Sequence, residues 1–180
     1  MMECMRTLIA SLFLVSPLWA ETCPEAPAIT AEEDRIFAQM TVVPDQMNAR
    51  ILNAALWDLW LEAPDPYSQD LLDGAMEQMR YANYERAETD LTQLVQYCPW
   101  YAEGWNQRAF TYYLTDRFEL ALSDLEEALS ANPRHLGALT GKALTLIKLN
   151  RKAEAQPVLR EALALNPWLS ERALLTDEPL

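Results

Sequence analysis

Few side chains in this sequence could do chemistry. His135 is the one histidine, and it follows Pro133-Arg134 in what reads as a turn. An imidazole acting as base or metal ligand needs partners at fixed spacing, and no cluster of His, Cys and carboxylates accompanies it. It therefore reads as a surface residue. The four glycines, Gly74, Gly104, Gly137 and Gly141, are scattered over helical segments and form no phosphate-cradling loop. Adjacent carboxylates such as Glu126-Glu127 fall on the polar side of an amphipathic helix and read as a solvated face. No Ser/His/Asp or Cys/His arrangement can be built from one histidine in a turn, so no catalytic residue, metal or cofactor is expected. What remains is a surface for binding.

The elements that must shape that surface announce themselves by period. Pro99, Pro133 and Pro167 stand 34 residues apart; Ala75, Ala109 and Ala143 keep the same spacing, as do Ala87, Ala121 and Ala155, and Leu91, Leu125 and Leu159. Within each period two helix-length segments flank a short turn, at Ala82-Asn83, Thr115-Asp116 and Leu149-Asn150. Alanines fall where two helices must approach closely, and large residues such as Trp105, Tyr112 and Leu125 fill the space beside them. Each proline ends the second helix, because the residue before proline is pushed out of the α region. Pro157 breaks the pattern: it lies inside the expected second helix of the third unit, where it should remove a hydrogen bond and bend the first turns.

Trp105, Ala109, Tyr112, Ala121, Leu125, Ala128 and Pro133 are in register with the signature of a 34-residue helical repeat. On these residues the chain resembles the tetratricopeptide repeat (TPR) family, over units at 68–101, 102–135 and 136–169. The resemblance implies an all-α fold, a right-handed superhelical stack of helix-turn-helix units. Leu139 and Leu146 replace the aromatic positions of Trp105 and Tyr112 in the third unit, and Leu71 and Gln78 do so in the first.

Outside the units the sequence predicts caps. Residues 21–30, with Pro24 and Pro27, read as a flexible linker; helices are expected from Ala31 to Met40 and from Ala49 to Leu61, the second with an apolar stripe of Ile51, Leu52, Ala55, Leu56, Leu59 and Trp60. Region 31–66 is thus a helical N-terminal cap or degenerate repeat over the open face of the first unit. Trp168 to Leu175 should form a short C-terminal capping helix through Leu169, Ala173 and Leu174, with a frayed tail to 180.

Residues 1–20 carry Arg6, an apolar run from Leu8 to Val15 and a small residue at Ala20, the layout of a secretory signal peptide cleaved after Ala20. The apolar run is shorter than the ~20 residues needed to span a bilayer, so no membrane span is expected after cleavage. An exported, periplasmic protein of the bacterial cell envelope follows, with secretion as the alternative. Cys23 and Cys98 would remain, either as one disulfide or as two thiols. The net charge is −13, concentrated in the N-terminal half, which opposes nucleic acid as a partner.

In the family resembled, the first helices of successive units line a concave groove. By register the candidates are Leu72, Asp73, Met76, Met79 and Arg80, then Asn106, Gln107, Phe110 and Tyr113, then Thr140, Leu144, Ile147 and Lys148. Methionines and aromatics suit a peptide segment of a partner protein. The family's carboxylate clamp, which grips a peptide C-terminus, is absent as a set: Asn106 is retained, but Leu72, Asp73, Gly137 and Gly141 occupy neighbouring positions. Two readings compete with an open groove. The segment Ala31 to Met40 could fill it, or the protein could self-associate through edge surfaces bearing Trp57, Trp100 or Trp168.

Overall fold

The computed structural model describes residues 22–26 and 28–176; the signal peptide expected at 1–20 and the last residues of the tail lie outside them. The described residues form α1 (Thr30–Met40), α2 (Gln46–Trp60), α3 (Pro66–Arg80), α4 (Tyr84–Tyr97), α5 (Ala102–Leu114), α6 (Phe118–Ala131), α7 (Leu136–Lys148), α8 (Lys152–Leu165) and a 3₁₀ turn, Ser170–Leu174. The architecture is an all-α stack of helix pairs.

The repeating columns become the core. Ala75, Ala109 and Ala143 on the first helices and Ala87, Ala121 and Ala155 on the second are all buried, as are Leu91, Leu125 and Leu159. Each such leucine stabilises the fold by about 1.5–3 kcal/mol relative to an exposed one. Arg108 of α5 fixes its helix to α6 through two hydrogen bonds to Asp124, at 2.7 and 2.9 Å.

The turns repeat as faithfully as the core. Ala82, Asp116 and Asn150, 34 residues apart, have φ of 57, 57 and 60°. This left-handed residue lets the next amide reach back to the helix it leaves: Asn83 to the Gln78 carbonyl, Arg117 to Tyr112 and Arg151 to Leu146, at 2.8–2.9 Å. Second helices end at Cys98, Asn132 and Asn166, each just before a proline. The Asn132 and Asn166 side-chain oxygens accept the amides of Arg134 and Trp168 at 3.0 Å, closing the inter-unit turns. Cys98 stands in that column in the first unit and bonds instead to Cys23 (S–S 1.95 Å, Cα–Cα 5.2 Å). The N-terminal arm is therefore tied to the end of α4. Helix α8 runs without interruption through Pro157, whose ring is exposed.

The amino-terminal segment does not lie where the sequence placed it. Of residues 31–66, only Leu61 and Ala63, just after α2, join the first unit's cluster. The buried residues of α1 and α2, Ile36, Phe37, Met40, Ala49, Leu56 and Trp60, cluster instead with Leu136, Leu139 and Ala162 of the third unit. The physical reason is area: Leu129, Val158, Leu165 and Trp168 offer these helices an apolar surface at that end. Register on α2 shifts too, since Ile51 of the expected stripe points to solvent.

At the carboxyl end the expected cap is a 3₁₀ turn in which Ala173 and Leu174 are exposed. Leu175 covers the last unit in their place, beside Leu159 and Leu146. Gln156 anchors it, donating to the Leu174 carbonyl and accepting the Thr176 amide.

Candidate functional site

Two of the concave features among the described residues bear on the expected site. The first is the groove face of α3, α5 and α7. Between α5 and α7 a cleft of about 100 Å³ is lined by Ala109, Phe110, Tyr113, Gly141 and Leu144, with Asn106 and Gly137 at one end. Phe110 is 50% exposed, unusual for a phenylalanine inside a repeat stack, and Tyr113 beside it meets the Phe118 ring edge-on at 5.4 Å. Lys148 lies 6.0 Å from that same Phe118 ring. Of the other groove candidates, Met76, Met79, Thr140, Leu144 and Ile147 are half-buried, and Asp73 and Arg80 exposed. The Met79 sulfur accepts the Thr111 hydroxyl at 3.0 Å. Leu72 is wholly buried and faces the core instead.

Asn106 and Gln107 are buried as well, and their amides are committed. Both donate to the carboxylate of Glu103, Asn106 at 3.0 Å. Asn106 and Gln107, 7 and 8% exposed, offer a peptide little accessible polar surface.

Glu103 leads to the second feature. The residue is 1% exposed, and His135 Nε2 lies 2.9 Å from its Oε2. His135 is not a surface residue, as its turn position suggested: its exposure is 0%. Its Nδ1 accepts the Ala138 amide at 3.2 Å, capping α7. The ring stacks on Trp60 with centroids 4.2 Å apart, and Trp57 meets it edge-on at 6.0 Å. A signal was present in the sequence: Tyr101, His135 and Leu169 share one repeat column, and its other members are large and apolar in body.

A network of polar groups ties the fold-back to the stack at this place. Glu33 of α1, also buried, accepts from Trp60 Nε1 and Asn132 Nδ2, both at 2.7 Å. Arg134 pairs with Asp34 at 2.6 Å and approaches Glu33 at 3.4 Å. Tyr101 donates its hydroxyl to the Trp60 carbonyl at 2.7 Å. Burial first, then the carboxylates of Glu103, Asp73 and Glu62, hold the Tyr101 phenol far above its ordinary titration range. None of these partners is near Glu33 in sequence, and only the columns of the repeats hinted at any of them.

Residues 102–135 and 136–167 each match the family model described as tetratricopeptide repeat. Residues 102–167 are thus two tetratricopeptide repeats in tandem. Among curated TPR proteins this chain is similar to a TPR repeat-containing protein of Rhizobium etli, 27% identical over 113 residues. That match takes in 63% of this chain and 55% of the relative, so the chain spans about half the relative's length. Among solved TPR structures it is similar to the first TPR of Spaghetti (RPAP3) bound to the HSP90 peptide SRMEEVD, with a TM-score of 0.58, 21% identity, and coverage of 59% of this chain and 84% of that one. The TPR2B domain of yeast Sti1 in complex with pHsp70 gives 0.57 at 21% identity, covering 61% and 91%. The Sgt2 TPR domain of Aspergillus fumigatus gives 0.55 at 22%, covering 64% and 73%. At this identity the likeness establishes the fold. Among the described residues no helix is long and apolar enough to cross a membrane.

Proposed function

We propose that this protein is a non-enzymatic interaction module of the bacterial cell envelope, holding a peptide segment of a partner protein in its concave groove. The observation that carries the reading is Phe110, half exposed beside a cleft that Tyr113, Gly141 and Leu144 also line. An aromatic held at that exposure on a rigid helix pair is an anchor with little ordering cost on binding. One of the similar structures is bound to an HSP90 peptide and another is a complex with pHsp70, which supports peptide binding as the mode. The peptide differs in kind here, because Asn106 is engaged by Glu103 and the basic clamp is absent. Met76, Met79, Leu144 and Ile147 favour an apolar segment, with Arg80 and Lys148 at its margins.

The test is affinity capture from envelope extract, comparing residues 21–180 with a Phe110→Glu, Tyr113→Glu variant of matched secondary structure. Loss of a captured protein in the variant supports the groove; identical captures refute it.

A second reading, self-association, is favoured by one surface. The tryptophans expected to carry it, Trp57, Trp100 and Trp168, are half-buried in the fold. Val42, Met47 and Ile51, 77, 64 and 61% exposed around the α1–α2 turn, would carry it instead. Light scattering at micromolar concentration decides: a strict monomer ends this reading.

A further inference from the structure

Beside the His135 stack lies a pocket of about 290 Å³, walled by the N-terminal arm at Ala26 and Ile29, the end of α2, the start of α5 and the turn at 131–135. Its chemistry is unbalanced in a way the fold itself does not explain. Glu33, Glu62 and Glu103 line it against one permanent cation, Arg134, which is already paired with Asp34 and Glu33. His135 Nδ1 is occupied, accepting the Ala138 amide hydrogen at 3.2 Å, so the ring presents only its Nε2 to the pocket side. Glu103, almost fully buried, is hydrogen-bonded by the neutral amides of Asn106 and Gln107, and no lysine or arginine among the ion pairs of the described residues reaches it. Buried carboxylates ordinarily have a cation partner.

A second observation points the same way. The His135 Nε2–H stands 2.9 Å from Glu103 but off its axis, so it makes no aligned hydrogen bond and stays unsatisfied at zero exposure on the pocket wall. A buried donor left over in a polar cavity marks a place where a ligand oxygen can sit. The remaining walls are aromatic: Trp60, Trp100 and Tyr101 all line the cavity. Aromatic faces with nearby carboxylates attract an ammonium ion whose substituents are apolar, since the ring quadrupole and the carboxylates act on the charge while the rings cover the methyl groups.

We propose that the pocket between the N-terminal arm, α2 and α5 binds a small organic ammonium ion, with Glu103 as its counter-charge and Trp60, Trp100 and Tyr101 as its walls. The disulfide at Cys23 holds the arm that forms one side of it. This pocket and the groove cleft share no lining residue.

Choline, which carries both an ammonium and a hydroxyl for the His135 donor, is the probe. The full chain is titrated with choline and, in parallel, with 3,3-dimethylbutan-1-ol, a neutral molecule of the same shape, following tryptophan fluorescence and calorimetry. Choline should saturate and bind at least about tenfold more tightly than the alcohol, the margin expected of a desolvated cation on aromatic walls. Glu103→Gln should lower choline affinity by about tenfold or more. If that variant fails to fold, Trp100→Leu, at a half-buried wall position, decides by the same loss. Equal binding of the two probes, no saturation by choline, or unchanged affinity in a folded variant overturns the proposal.

Discussion

The imidazole of His135 lies face to face with the indole of Trp60, centroids 4.2 Å apart and planes 25° from parallel. This stack joins a helix that precedes the repeats to the turn between the second and third units. Trp60 also donates to Glu33. Its replacement by alanine removes a buried ring and leaves that carboxylate short of a donor. Trp60→Ala should cost about 3–5 kcal/mol in urea unfolding.

Gly137 lies where Trp57 crosses α7. A Cβ there would stand 2.7 Å from Trp57 Cη2, and an indole held by Trp60 and His135 cannot give way freely. Alanine gains helix propensity of about 1 kcal/mol over glycine, but overpacking costs about 1–3 kcal/mol. The expected result is net destabilisation with altered tryptophan emission; Gly137→Ala more stable than the parent would show that α2 does not press on α7.

Ala82 holds a left-handed conformation that Asp116 and Asn150 tolerate better. Ala82→Gly should raise stability by about 0.5–1 kcal/mol, and Asn150→Gly by less, as read from paired denaturation midpoints.

Cys23 and Cys98 are 75 residues apart in sequence. Opening a loop of that length by Cys23→Ser should cost about 2–4 kcal/mol, and a dithiol reductant should bring the parent to the same midpoint while leaving the variant unchanged.

Asp65 caps α3. Burial would raise its titration point, but the Ser68 amide, the Tyr97 hydroxyl and the Ser68 hydroxyl outweigh it, so the carboxyl titrates below its ordinary range. A depressed folded value means that the cap's contribution is complete above pH about 4 and is lost as pH falls through the folded value. Asp65→Asn, which keeps an acceptor without a charge, should flatten the loss of stability between pH 5 and pH 3. An unchanged slope would assign that loss to other carboxylates.

Local, repeated constraints were legible in the residues themselves. Alanine at the closest helix approach, leucine beside it and proline after each second helix recur every 34 residues because each unit solves the same packing problem against its neighbour. From them the sequence alone determined the stack, its turns and the face that bears Phe110 and Tyr113. It could not determine where α1 and α2 go, since an amphipathic helix states only that one face will be buried, not against what. The tertiary structure decided that they return to the third unit. That return carried His135 into the interior, where Trp60 stacks on its ring, and it completed the pocket around Glu103. These are contacts between residues 27 to 99 positions apart, and apolar burial, which is non-directional, leaves no periodic mark of such a pairing in the chain.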